Sequence, residues 1–423
     1  MATASPAAIP THQARVDTVW KTAIWLTAFL PFIQAIVTWD YDGRMEGMWF
    51  ALRHYSFPAI IGEIAIIMIA IRSGMLPSTY MKSLSKTAMA ALLLWAIFAL
   101  FSSLFIADNR AVSMMTLIRF ALHGLFLAAL IHMVRQARLF SPIQWLLAIM
   151  AGILAYIAVL TLFALTIPDP ANFPWMQRLP SATNIRQIAN IIAIPAIAPF
   201  ALLFFSNGKH KWSYAAAIFA LTLFIAWSGS RGALFGMVTG TIGALILMRR
   251  IPAYSSIAAA TASFFCALLA SLALSLPTGS FGLFRFANKA QDITSGRVEI
   301  WINTITEIGK SPWTGHGAGS FNVNMHALHG IDFNHPHNFI LQFAYDWGIV
   351  GGAAILLLLA LFGLTIVRSA AKAPLTGFAA LAGFLTLLTI SMVDGALFYP
   401  LTIMMVLAMV APVFISNLHQ DTK

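Results

Sequence analysis

The sequence predicts an all-α polytopic membrane protein of about twelve transmembrane helices, with one long structured loop on its outer face. Three observations predict it. The first is composition: of 423 residues, 60% are hydrophobic and 9% charged, with a mean hydropathy of +0.82. A soluble domain typically carries about 25% charge. The second is the recurrence, from end to end, of apolar runs of about 20 residues, each long enough to cross a bilayer as a helix. A transmembrane β-barrel would alternate apolar and polar residues instead. The third is the distribution of charge. With both termini cytoplasmic, the cytoplasmic segments hold Arg15, Lys21, Arg72, Lys82, Lys86, Arg135, Arg138, Lys209, Lys211, Arg249, Arg250, Arg368, Lys372 and Lys423, opposed only by Asp17 and Asp421. The net charge of +11 therefore gathers on one side, as the positive-inside rule requires of an even number of spans. A basic nucleic-acid binder would cluster such residues on one face; here whole helices separate them.

The chain opens with the polar stretch MATASPAAIPTHQARVDTVWK, read as a short cytoplasmic tail rather than a cleaved signal peptide. Spans are expected to begin near Trp20, Phe57, Thr87, Ala111, Ile143, Ile185, Trp212, Gly232, Ala253, Phe339, Leu375 and Ala396. The single cysteine, Cys266, excludes a disulfide or a thiolate metal cluster. No internal repeat or low-complexity tract divides the chain. It reads as one membrane domain, 1–423, with an outer-face loop at 277–338 between the ninth and tenth spans.

That loop is polar enough to leave the membrane, yet it carries Phe281, Phe284, Phe286, Trp301, Trp313 and Phe321, apolar area that favours packing over disorder. Within it, ITSGRVEIWINTITEIGKSP predicts a helix. Thr294 or Ser295 is its expected cap, Val298, Ile302, Ile305 and Ile308 its apolar face, and Gly309 and Pro312 its end.

Arginines on the outer face are the first candidates for chemistry. Arg231 stands in Ser228-Gly-Ser-Arg231-Gly232, a short turn at a helix start, where backbone N–H groups favour an anion. Arg297 repeats the setting in Thr294-Ser-Gly-Arg297. Arg186, in ATNIRQIAN, enters a span from an outer loop. Plainer roles compete with these: an interfacial anchor for Arg231, an ion pair with Glu299 or Asp292 for Arg297, snorkelling for Arg186. Three arginines on one face suggest a doubly charged anion, because guanidinium matches phosphate by paired hydrogen bonds. There is no P-loop and no carboxylate cluster suited to Mg²⁺. Arg119 and Glu63, deeper in the membrane, are expected to pair with one another.

The second candidate is NHPHNFILQFAYDWGIVGG, residues Asn334 to Gly352. Pro336 restricts His335 to extended geometry and sets His337 at the head of the next helix. Asn338, Gln342 and Asp346 follow at i, i+4 and i+8, a polar stripe expected to face the bundle interior. A histidine poised near neutral pH can take a proton from an attacking hydroxyl. His337 is the expected base, Asn338 its orienter, and His335 a supporting group. The alternative is that both histidines are merely interfacial. The further histidines His316, His326 and His329 raise a metal reading, but no HExxH or comparable spacing supports it. The glycine-rich Thr314-Gly-His-Gly-Ala-Gly-Ser320 is read as a tight outer turn, since no βαβ unit surrounds it.

Taken in order, the SGSRG turn, the SGR-x-x-x-W helix start, the SPWTGHGAGSF tract and HPHNFILQFAYDWGIVGG resemble the O-antigen ligase family. That family shares a superfamily with O-antigen polymerases and bacterial oligosaccharyltransferases. The resemblance implies an inner-membrane enzyme with a periplasmic active site. It would move a glycan from undecaprenyl pyrophosphate to a sugar hydroxyl of lipid A-core, inverting and metal-independent, without cofactor. It also implies that His337 is the essential loop histidine and that Arg231 and Arg297, with Arg186 a looser match, are the essential arginines. The tail after Ser416 is short, whereas protein-glycosylating relatives often carry a further domain there. A polymerase would need the same site. A transporter of lipid-linked glycan is the rival class; it would tend to show repeated halves, and it would have no need of a histidine base.

Overall fold

The computed structural model describes residues 11–39, 52, 55–136, 141–170, 172, 173, 175, 179–182, 184–206, 208–274, 296–330 and 333–415. Among these residues the architecture is helical, without a β-strand. The order is α1 (Thr11–Val37), α2 (Phe57–Arg72), a short α3 (Pro77–Lys82), α4 (Lys86–Phe101), α5 (Arg110–Gln136), α6 (Pro142–Thr166), α7 (Ile185–Ala193), α8 (Ile197–Phe205), α9 (Lys211–Trp227), α10 (Arg231–Met248), α11 (Tyr254–Ala273), α12 (Arg297–Lys310), α13 (Phe321–His329), α14 (Phe339–Ala370), α15 (Pro374–Ser391) and α16 (Pro400–Val410).

Local chemistry sets many of the starts. Ser85, Ser141, Asn184 and Asn338 cap α4, α6, α7 and α14 by accepting backbone N–H bonds. Proline occupies the first turn of α2, α3, α6, α15 and α16, where its missing N–H costs nothing. Every span start expected from the sequence falls at or within a helix or its cap. Among the described residues, 9 segments are long and apolar enough to cross a bilayer, fewer than the expected twelve. The difference lies in α2 (16 residues), α9 (17 residues) and α16 (11 residues), which are shorter than a full span. The 11 residues of α16 are all buried, so the surrounding helices, not the helix's own length, satisfy its ends.

The helices run back and forth between two ends. Arg72, Arg135 and Arg368 close α2, α5 and α14, Arg249 caps α10, and Lys86 and Lys211 open α4 and α9. All of these lie at one end. The opposite end carries α12 and α13, which form a platform on the entry of α14.

The glycine-rich tract is more than a surface turn. The chain of α14 breaks at Gly348, which has φ 71° and ψ 174°. A break strands backbone groups that lipid cannot satisfy. The tract supplies partners: His316 N–H donates to the Tyr345 carbonyl at 2.8 Å, Gly317 N–H to the Asp346 carbonyl at 3.0 Å, and Ile349 N–H to the Pro312 carbonyl at 2.7 Å. The Ser102 hydroxyl adds a bond to the Asp346 carbonyl at 2.8 Å. Any side chain at 348 would collide with the Trp313 carbonyl as well as strain the positive φ. The tract thus locks the platform to the broken span.

On the platform two expectations change. Gly296 takes the cap position of α12, while Thr294 and Ser295 lie outside the described residues, as do Arg285, Lys289, Asp292 and Asp332. The packed face of α12 is Ile300, Thr304, Glu307 and Ile308, set against Phe321, Met325, Leu341 and Tyr345. Of the expected face only Ile308 is buried; Val298, Ile302 and Ile305 point outward. The packed side is instead set by what α12 meets, namely α13 and the entry of α14. Glu307 can occupy the packed face because Lys310 Nζ (2.7 Å) and His329 Nε2 (2.9 Å) both contact its Oε1. Burial acts to raise its pKa, but these two partners outweigh burial and hold it below its ordinary value.

The polar stripe of α14 does face inward: Gln342 and Asp346 are buried, joined by a 2.7 Å bond from Nε2 to Oδ1. The expected Arg119–Glu63 pair does not form. Glu63 instead meets His123, Nδ1 to Oε1 at 2.8 Å. His123 lies one turn beyond Arg119 on the same face of α5 and reaches Glu63 with a short ring, while Arg119 turns back to Thr116 at 3.4 Å.

Candidate active site

Three helix starts converge at the platform end. Arg231 and Arg297 are the first residues of α10 and α12, and Arg186 is the second residue of α7. Together with Gly229, Ser230, Gly232, Val393 and Asp394 they line one open cleft of about 420 Å³. Each helix start adds the positive end of its dipole to the guanidinium charges. Among the described residues the lining presents three arginines and one carboxylate, Asp394.

Asp394 lies between α15 and α16, in the loop that follows Ser391. Its Oδ2 accepts a bond from Asn190 Nδ2 at 3.0 Å and its Oδ1 one from its neighbour Gly395 N–H at 2.7 Å. On its other side His337 brings Nδ1 to 3.4 Å from Oδ1. That separation is long for a hydrogen bond but within ion-pair range. It strengthens when the ring takes a proton. Burial alone would raise the Asp394 pKa; the nearby His337 ring, the charge of His335 and the Asn190 bond hold it well below the usual carboxylate range. Asp394 therefore stays ionised and faces the imidazole as a fixed anion.

His337 stands just before α14 with φ 55°, a left-handed backbone uncommon outside glycine. Its N–H donates to His335 Nδ1 at 3.3 Å, and the two rings meet edge to face with centroids 4.4 Å apart. His335 Nε2 in turn lies 3.2 Å from the Tyr399 hydroxyl. Burial, then the charge of Asp394, raises the Tyr399 pKa well above its ordinary value, so that hydroxyl keeps its proton. Gly395 lets this arrangement close: a Cβ there would overlap the His335 ring. With Nδ1 turned to Asp394, Nε2 is the His337 nitrogen left for a substrate.

His335, His337 and Asp394 also offer one ligand atom each, all within 4.8 Å of one another, a set that could hold a metal ion. Two facts weigh against a cation. The adjoining cleft carries three guanidiniums, and both Asp394 oxygens and both His335 nitrogens already have hydrogen-bond partners.

The structure brings Arg186, Arg231 and Arg297 into one cleft and sets His335 and His337 beside it. Asn338, expected to orient His337, has another task. Its Oδ1 accepts from Ile340 N–H (3.0 Å) and Leu341 N–H (3.1 Å), capping α14, and its Nδ2 reaches the Met392 carbonyl at 3.5 Å. Both polar ends of Asn338 are thereby engaged away from the ring. Asp394 faces it instead, and the sequence reading gave Asp394 no role. Its one local signal is an acidic residue at the mouth of an apolar run, in SMVDGALFYP. The remaining loop histidines divide as well. His316 Nε2 contacts the Glu307 carbonyl at 2.9 Å and its ring stacks on Tyr345, while His329 contacts the Glu307 carboxylate. Both serve the platform.

A multi-pass helical membrane protein with a three-arginine cleft and a histidine–aspartate pair at its rim is the class these features define. Residues 215–356, about a third of the chain, match the family model described as O-antigen ligase. The match spans Arg231, Arg297, His335, His337 and Asn338; Arg186 and Asp394 lie outside it. A comparison with curated proteins gives no match.

Proposed function

We propose that this protein is a glycosyltransferase that moves O-antigen glycan from undecaprenyl pyrophosphate to a sugar hydroxyl of lipid A-core. It works on the periplasmic face of a bacterial inner membrane, with both termini cytoplasmic. The observation that carries the reading is the place of Asp394: it lines the three-arginine cleft and also touches His337, so the anion site and the base form one site.

In this reading the donor pyrophosphate lies in the cleft against Arg186, Arg231 and Arg297. The acceptor hydroxyl approaches His337 Nε2. As its oxygen attacks the anomeric carbon, its proton passes to Nε2, and Asp394 stabilises the imidazolium that forms. The bond from the anomeric carbon to the phosphate oxygen breaks, and its electron pair leaves on undecaprenyl pyrophosphate. The three guanidiniums and the helix starts stabilise that developing charge. Attack opposite the departing pyrophosphate inverts the anomeric centre. The guanidiniums supply the charge that a divalent ion would otherwise provide, so the reaction needs no metal.

The test is reconstitution. Purified protein given lipid-linked glycan and lipid A-core should yield joined product, and an excess of chelator should not slow it. Product that lengthens the lipid-linked glycan, with lipid A-core left unmodified, would make the enzyme a polymerase of the same superfamily. No product with either acceptor would end the reading.

A further inference from the structure

The backbone of His337 is held in a conformation that a histidine would not choose, and one side chain outside the cleft lining accounts for it. Trp301 lies on α12, one turn after Arg297. Its Nε1–H donates to the carbonyl oxygen of Pro336 at 2.8 Å. That carbonyl and the His337 N–H belong to the same peptide plane. The N–H end is held by His335 Nδ1 at 3.3 Å, the carbonyl end by Trp301. With both ends held, the plane cannot rotate, and its orientation sets the His337 φ of 55°. Left alone, a non-glycine residue relaxes from this region to negative φ, which would carry the imidazole away from Asp394.

Trp301 itself sits in a fixed frame. The opposite side of α12 packs through Ile300, Thr304 and Ile308 onto Phe321, Met325 and Tyr345. The same helix presents Arg297 to the cleft.

We propose that Trp301 is a positioning residue: its indole N–H pins the Pro336–His337 peptide and thereby aims the His337 imidazole at Asp394. One rigid helix then sets both the anion-binding Arg297 and the base. The proposal rests on the catalytic reading of His337 for its kinetic consequence, while its geometric core stands apart from that reading.

The experiment replaces Trp301 in the full-length protein in two ways. Trp301→Phe removes the donor and part of the ring. Benzothienylalanine at position 301 keeps the ring's size and shape and exchanges only N–H for sulfur. Glycan transfer is measured with varied donor, and carbethoxylation of His337 by diethylpyrocarbonate is followed by mass spectrometry with the exposed His326 as internal reference. Misplacing a catalytic group costs rate more than binding, so kcat should fall about tenfold or more in both proteins while donor KM stays within about twofold. The His337 modification rate should shift relative to His326. A benzothienylalanine protein with wild-type kcat, or with unchanged His337 modification, would overturn the proposal. If His337→Ala transferred glycan normally, the functional reading would fall instead, and the carbethoxylation comparison would still decide whether Trp301 sets the turn.

Discussion

Two of the protein's histidine–carboxylate pairs, one inside the bundle and one at the cleft, are built differently. His123 and Glu63 meet at 2.8 Å between α5 and α2, with side chains 6% and 0% exposed. His337 and Asp394 stand 3.4 Å apart at the rim of the cleft, 19% and 13% exposed. The inner pair is short, closed and away from the arginine cleft; it holds two helices together. The outer pair is looser and more exposed, and its carboxylate also lines the three-arginine cleft. In the proposed reaction His337 must exchange a proton with a substrate, and access and slack would serve that role where they would weaken the inner pair. The same two side-chain types thus become glue or machinery according to what surrounds them.

The sharpest way to break this comparison is to remove each histidine in turn. His337→Ala should lower kcat by about 10³-fold while the protein still inserts and folds, the middle of the range for a lost general base. His123→Ala should leave transfer near normal per folded molecule. Equal losses in the two would erase the distinction. Next, Arg231→Ala and Arg297→Ala should each cost about 10²-fold in transfer, the scale of a removed charge-stabilising group. Near-normal turnover in either would remove that arginine from the anion site.

The inner pair predicts a loss of stability instead. Glu63→Ala strands His123 in a closed interior, and breaking a buried pair from one side costs about 3–5 kcal/mol. Thermal unfolding in detergent should register this as a lowered midpoint with kcat retained among the molecules that fold. The smallest effect belongs to Glu307 on the platform. Its folded pKa lies below the ordinary 4.5, so the unfolded chain binds the proton more readily. The stability it contributes is present above that ordinary value and is lost as pH falls through it to the folded value. Limited proteolysis of the platform from pH 7 downward should show protection fading across that window, and Glu307→Gln should flatten the dependence.

How much of this was legible in the sequence follows from how local each signal is. Arg231 and Arg297 each stand beside glycine and serine at a helix start, so a few neighbouring letters place their charge at an end. His337 was legible because Pro336 and the capping Asn338 announce a helix entry. Asp394 was not. It meets His337 from 57 positions away, between two apolar helices whose sequences carry no mark of the encounter. Asn338 misled for the same reason: its neighbours along the chain suggested the ring, while its oxygen was needed by Ile340 and Leu341. The face of α12 was misread because its packed side is set by Phe321, Met325 and Tyr345, which lie on other helices and leave no mark in its own periodicity. The glycines of the 314–320 tract were legible as a turn, but not as the patch that satisfies a broken α14, because nothing near Gly348 in the chain names its partner.

The sequence by itself determined that the chain crosses a membrane repeatedly, which end of the bundle is basic and where most helices begin. A span must satisfy its own backbone in lipid, so its length, hydropathy and flanking charge are all written within some twenty residues. Only the tertiary structure decided which polar groups meet: Asp394 with His337 and Asn190, Glu63 with His123, and Trp301 with Pro336. Those contacts join separate helices and turns, and their energy depends on distance and burial in space, quantities that the order of residues along the chain does not carry.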